Sequence, residues 1–172
     1  EKETGSIYNI YASTIRRAEF ILGKLLPNVL ISFINAVVLW LMAMWYFGAP
    51  FKGNIPFFLL ATLLYVLCTS SLGLLVSMLV RTQQAALMIA VILSVIVALQ
   101  FSGMLTPVAL LTGPNWFLAH LLPAMYYQNV VLGAFLKGSG WAVLWPEALV
   151  LAVYSAAVLG VVVLLFRKRT RT

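Results

Sequence analysis

Asn28, Ser32 and Asn35 are polar residues set in an otherwise apolar stretch. Steps of four and three place them on one helix face. In an apolar medium such a face has two uses. It lines a passage for a polar solute, or it hydrogen-bonds to a neighbouring helix for about 0.6–2 kcal/mol per bond. Gln100, one turn before Gly103 and close to Pro107, either caps a helix end or lines an exit. Covalent chemistry finds less support. A serine nucleophile needs a base to activate it, and Ser139 sits in Gly138-Ser139-Gly140 rather than G-x-S-x-G. His120, the only histidine, reads better as a hydrogen-bonded interfacial residue than as that base. Gly23-Lys24 lacks the rest of a phosphate-cradling loop, with Ala18 in place of the first glycine and Leu25 in place of Ser or Thr. The acids are Glu1, Glu3, Glu19 and Glu147, so no mid-span carboxylate offers a proton relay. Glu147 follows Pro146 and is expected at a helix N-terminus, where an acid suits the dipole. The single cysteine, Cys68, excludes an intrachain disulfide and a multi-cysteine metal site. No catalytic residue, metal ligand or cofactor-binding residue is assigned to this chain.

The elements that position these residues follow from composition. The chain has 172 residues, 63% hydrophobic and 9% charged, with a net charge of +7. Soluble domains run near 45–50% and about 25%, so an all-α polytopic membrane protein is expected. A nucleic-acid partner is not: cations scattered along so apolar a chain make a poor phosphate-binding face. A helix crosses a bilayer core in about 20 apolar residues. The uncharged runs supply four such spans, at 25–48, 56–80, 84–104 and 147–166. Between the last two, Pro107, Gly113, Pro114 and Pro123 break the run. Residues 105–140 are therefore expected as a broken re-entrant hairpin of short helices in the outer leaflet.

Cations favour the cytoplasmic side. Lys2, Arg16, Arg17, Lys24, Arg81, Arg167, Lys168, Arg169 and Arg171 fall on one side, and only Lys52 and Lys137 on the other. Both termini are thus expected in the cytoplasm, with 167–172 a basic tail. Trp45, Tyr46, Phe47, Trp116, Phe117, Tyr126, Tyr127, Trp141 and Trp145 cluster at the outer ends, where such rings favour the headgroup level. No signal-peptide pattern occurs in residues 1–24. Two stripes of small residues step by four: Ala86, Ala90, Ser94, Ala98 and Ser102, then Ala148, Ala152, Ala156 and Gly160. Gly73 and Ser77 form a shorter pair. Such stripes let helix backbones approach closely, within the chain or against another subunit.

Residues 1–24 differ in character from the rest of the chain. Ile7, Tyr8, Tyr11 and Ile15 recur at helical spacing, and Ser13 or Thr14 can cap a turn. The segment reads either as an interfacial helix on anionic lipid or as a docking helix for a cytoplasmic partner. Its residues also carry a resemblance. Glu1-Lys2-Glu3-Thr4-Gly5-Ser6, Tyr11-Ala12-Ser13, Arg17-Ala18-Glu19-Phe20 and Gly23-Lys24-Leu25-Leu26-Pro27 resemble the intracellular loop of type-2 ATP-binding-cassette (ABC) export permeases. The order of helices, broken outer hairpin and basic tail is similar too. Thr14 stands where that family usually has proline, which leaves the turn less fixed.

The resemblance implies a permease subunit of an ATP-driven exporter in a bacterial inner membrane. Residues 1–24 would form a coupling segment, with Ile7, Tyr8, Tyr11, Ser13, Arg16, Arg17 and Glu19 meeting a separate ABC ATPase subunit. ATP and Mg would bind that partner, not this chain. A second permease subunit, identical or not, and the lipid bilayer complete the expected partners. Members of that family carry two helices before this loop, so the chain is expected to correspond to the loop and helices three to six of a longer permease. The alternatives are a structural or assembly membrane protein, or a permease fragment without its own path.

Overall fold

The computed structural model describes residues 17–80, 82–103, 105, 110 and 112–165. Among them the fold is all-α, without strands. Four helices are long and apolar enough to cross a membrane: α1 (Arg17–Trp45), α2 (Ile55–Leu79), α3 (Gln83–Phe101) and α6 (Trp141–Leu165). Between α3 and α6 lie the short helices α4 (Pro114–Leu121) and α5 (Pro123–Leu132), the latter continuing as a π-helical turn, Gly133–Lys137.

Local chemistry sets the ends. Asn54 caps α2, its Oδ1 accepting from the Phe57 amide at 3.1 Å, and Pro56 in the first turn forfeits only an N–H that has no helical partner. Thr82 caps α3 in the same way. Pro114 and Pro123 each open a short helix, which is why the run between α3 and α6 is broken rather than continuous. Gly138 ends the π turn in the left-handed region, at φ 61°, where a side chain is strained.

Two boundaries differ from the sequence expectation. α1 starts at Arg17, so residues 17–24 are the first turns of a helix that continues through Pro27 into the membrane span. α6 starts at Trp141 and takes in Pro146. Glu147 is therefore beyond the first turn, not at a helix start as expected. Proline inside an apolar helix is tolerated where neighbours satisfy the freed carbonyl.

α2 is the central element. Its buried face carries Phe57, Phe58, Ala61, Thr62, Val66, Cys68, Ser70 and Ser71. At one end Phe57, Phe58 and Ala61 pack with Val130 and Ala134 of α5 and its continuation, and with Leu144 and Ala148 of α6. Phe51 meets Trp40, Phe58 and Phe135 edge to face there, standing 5.2 Å from Phe135 and 5.4 Å from Phe58. At the other end Val66 packs with Leu25 and Val29 of α1. No residue of Gln83–Val91, the first half of α3, is buried. Leu87, Met88 and Val91 face outward there, as apolar side chains do against lipid.

Candidate functional site

Lys24, Leu25 and Asn28 of α1 face Ser70, Gly73, Leu74 and Ser77 of α2 across a cleft of about 210 Å³. The helices run antiparallel, so the start of α1 lies beside the end of α2. Steps of three and four put Ser70, Gly73 and Ser77 on one face of α2, and Lys24 and Asn28 on one face of α1. Gly73 and Ser77, expected as a packing pair, instead open the cleft: a Cβ on Gly73 would meet nothing within 4 Å. Leu25, 4% exposed, closes its floor.

The cleft collects donors. Lys offers three N–H groups, Asn an amide, and each serine a rotatable hydroxyl. Asn28, Ser70 and Ser77 make no side-chain hydrogen bond among the described residues. Other hydroxyls in the bundle behave differently. Thr62 donates to the Phe58 carbonyl at 2.8 Å, Ser71 to the Leu67 carbonyl at 2.6 Å and Ser155 to the Ala152 carbonyl at 2.9 Å. The side chains of Asn28, Ser70 and Ser77 are thus left for something outside the fold.

Of the three residues expected to share a face, only Asn28 lines this cleft. Ser32 is half-buried and Asn35 exposed, and neither makes a side-chain hydrogen bond among the described residues. Gln100 is exposed near the end of α3. Ile7, Tyr8, Tyr11, Ser13 and Arg16 lie outside the described residues. Arg17 opens α1, and Glu19 is exposed in its first turn.

The small-residue stripes divide. Ala148 is buried in the core and Ala152 half-buried, but Ala156 and Gly160 are exposed. Ala86 is half-buried, Ala90 and Ser94 are exposed, and the Ser94 hydroxyl donates to the Ala90 carbonyl at 2.7 Å. The side chain of Ala98 falls outside the described set.

A second polar group gathers where α4, α5 and α6 meet. His120 Nδ1 donates to the Trp116 carbonyl at 2.9 Å, and the Tyr126 hydroxyl donates to the His120 carbonyl at 2.9 Å. Asn129 donates to the Glu147 carboxylate at 3.3 Å. Burial first, and the Glu147 charge second, push the Tyr126 phenol above its ordinary range. His120 is engaged within its own helix, and no hydrogen bond joins it to Ser139. Among the described residues no cluster of His, Cys, Asp and Glu could hold a metal.

The sequence pattern alone does not mark Lys24 or Ser70 as cleft residues. Their signal is the face shared by Ser70, Gly73 and Ser77. It becomes a cleft only once α1 is known to lie opposite.

Comparison with known proteins extends these observations. The family model described as ABC-2 type transporter matches residues 1–136. The chain is 26% identical over 163 residues to an Escherichia coli protein named probable multidrug ABC transporter permease YbhR, covering 91% of this chain and 44% of that one. It is 24% identical over 173 residues to the E. coli inner membrane transport permease YhhJ, covering 100% of this chain and 46% of the relative. ABC transporter G family member 20 of Dictyostelium discoideum is 31% identical over 144 residues, 81% of this chain and 19% of that protein. The chain thus spans less than half the length of these relatives. No solved structure matches it significantly.

Proposed function

The chain belongs to the ABC-2 type transporter family, and from that premise we propose that it forms membrane-crossing helices of an ATP-driven export permease. The observation that carries this reading is the family match itself, which covers residues 1–136 and so takes in the first three spans. Four apolar helices of membrane-crossing length agree with it.

In this reading the work comes from a separate ABC ATPase that holds ATP and Mg. It reaches the membrane through residues 6–20, with Ile7, Tyr8 and Tyr11 as apolar anchors and Ser13, Arg16, Arg17 and Glu19 beside them. The continuity of α1 supports a mechanical role. Arg17–Trp45 is one helix, so a displacement at its cytoplasmic start is carried into the bilayer by a rigid element. Asn28, Ser32, Asn35 and Gln100 are the candidates for the translocation path. A second permease subunit covers faces that this chain leaves open, Ala156 and Gly160 among them. Both termini lie in the cytoplasm, on the cation bias, and residues 105–140 dip into the outer leaflet. The membrane is a bacterial inner membrane, as it is for the E. coli relative whose name states it.

The test is affinity purification of the protein from its native membrane in mild detergent. An ABC ATPase subunit is expected in the eluate at a fixed ratio to the permease. A preparation that carries no ATPase, yet retains its other membrane partners, would favour a structural or assembly role instead.

A further inference from the structure

We propose that the cleft between α1 and α2 seats the phosphate of a phospholipid headgroup. Three observations converge there. First, the lining is donor-rich and has no carboxylate: Lys24 supplies a fixed charge, and Asn28, Ser70 and Ser77 supply N–H and O–H groups. Phosphate oxygens accept such bonds and have none to donate, and charge-assisted bonds are the stronger kind. Second, Asn28, Ser70 and Ser77 have no side-chain partner among the described residues, while neighbouring hydroxyls such as Ser71 bond back to their own helix. Ser70 is only 8% exposed and lines the cleft, so an acceptor bound there can take its hydroxyl hydrogen. Third, the depth is right. Lys24 and Trp45 stand on the same helix, roughly 30 Å apart at about 1.5 Å per residue. That matches the thickness of a hydrocarbon core. With Trp45 at one interface, the Lys24 ammonium falls at the headgroup level of the other.

The size and walls fit the same ligand. About 210 Å³ is far more than the roughly 10–15 Å³ that admits one water. Leu25 and Leu74 flank the polar groups, so the first methylenes of a lipid meet apolar surface as the head meets Lys24. The inference goes beyond the permease reading and needs neither an ATPase nor transport. Its failure would leave that reading standing.

The experiment is native mass spectrometry of the full chain purified in detergent, titrated with short-chain phosphatidylglycerol or with the matching short-chain diacylglycerol, which lacks the phosphate. Half-occupancy by phosphatidylglycerol is expected at about tenfold lower concentration, in keeping with one charge-assisted contact. Lys24→Gln should erase the preference. Lys52→Gln, at the opposite end of the bundle, should leave it intact. Asn28→Leu with Ser77→Ala keeps the charge and should still weaken binding about threefold or more. Equal occupancy by the two lipids would overturn the proposal, as would equal losses in Lys24→Gln and Lys52→Gln. Displacement of phosphatidylglycerol by glycerol phosphate at equal concentration would show that free phosphate, not a membrane lipid, is recognised.

Discussion

The Thr62 hydroxyl and the Tyr127 phenol lie 3.1 Å apart, though 65 residues separate them in the chain. Tyr127 also stacks on Tyr65, ring centres 4.3 Å apart and planes within 3°. One α5 side chain thereby meets successive turns of α2, which locks α5 to the central helix. Tyr127→Phe should keep the stacking and lose only the hydrogen bond, at about 1 kcal/mol. Thr62→Val should add little in that background, and a double-mutant cycle of unfolding in detergent will show the coupling. Additive losses would mean that the two hydroxyls do not interact.

Gly53 is packed against Ala134. A Cβ on Gly53 would stand 2.8 Å from the Ala134 Cα, and the Lys52 amide donates to the Ala134 carbonyl at 3.1 Å. The contact is with backbone, which cannot swing aside. Gly53→Ala should cost about 1–3 kcal/mol, as overpacking does. Gly160→Ala, whose Cβ meets nothing within 4 Å, should be neutral. Melting temperatures in detergent will separate the two.

The cleft should be wet. In single-cysteine variants, Asn28→Cys and Ser77→Cys should react readily with a water-soluble thiol reagent. Val29→Cys should be protected, because Val29 is buried at 8% exposure. Cys68, fully buried, should be silent in the parent chain. Protection at both 28 and 77 would show that the cleft is closed.

The α6 stripe should respond unevenly to bulk. Ala148→Leu puts three more carbons into a filled core and should cost about 1–3 kcal/mol. Ala156→Leu falls on an exposed face and should change the stability of the isolated chain by less than about 0.5 kcal/mol. Cross-linking between subunits in the membrane will show whether Ala156→Leu separates a pair that the monomer does not need.

Coupling is tested at Tyr11. In a full-length permease, Tyr11→Ala should insert normally, lose ATPase association on affinity purification and abolish transport. Retained ATPase together with loss of residues 1–20 from the lipid surface would identify the segment as an interfacial anchor.

The sequence by itself determined the class and the number of spans. Length, apolar runs and the scarcity of charge are local properties, and a bilayer converts them directly into helices, since backbone groups in lipid must be satisfied within the segment. The order Glu1–Ser6, Arg17–Phe20 and Gly23–Pro27 pointed to the family. Helix ends were less legible. Pro146 read as a start, but packing carried α6 back to Trp141 and left Glu147 beside Asn129. Partners were not legible at all. Ser70, Gly73 and Ser77 share a face in any helix, yet tight packing and an open cleft call for the same small residues. Only the antiparallel placement of α1, bringing Lys24 and Asn28 opposite them, decided between the two. Helix periodicity fixes which residues face together but carries no information about what stands across the gap.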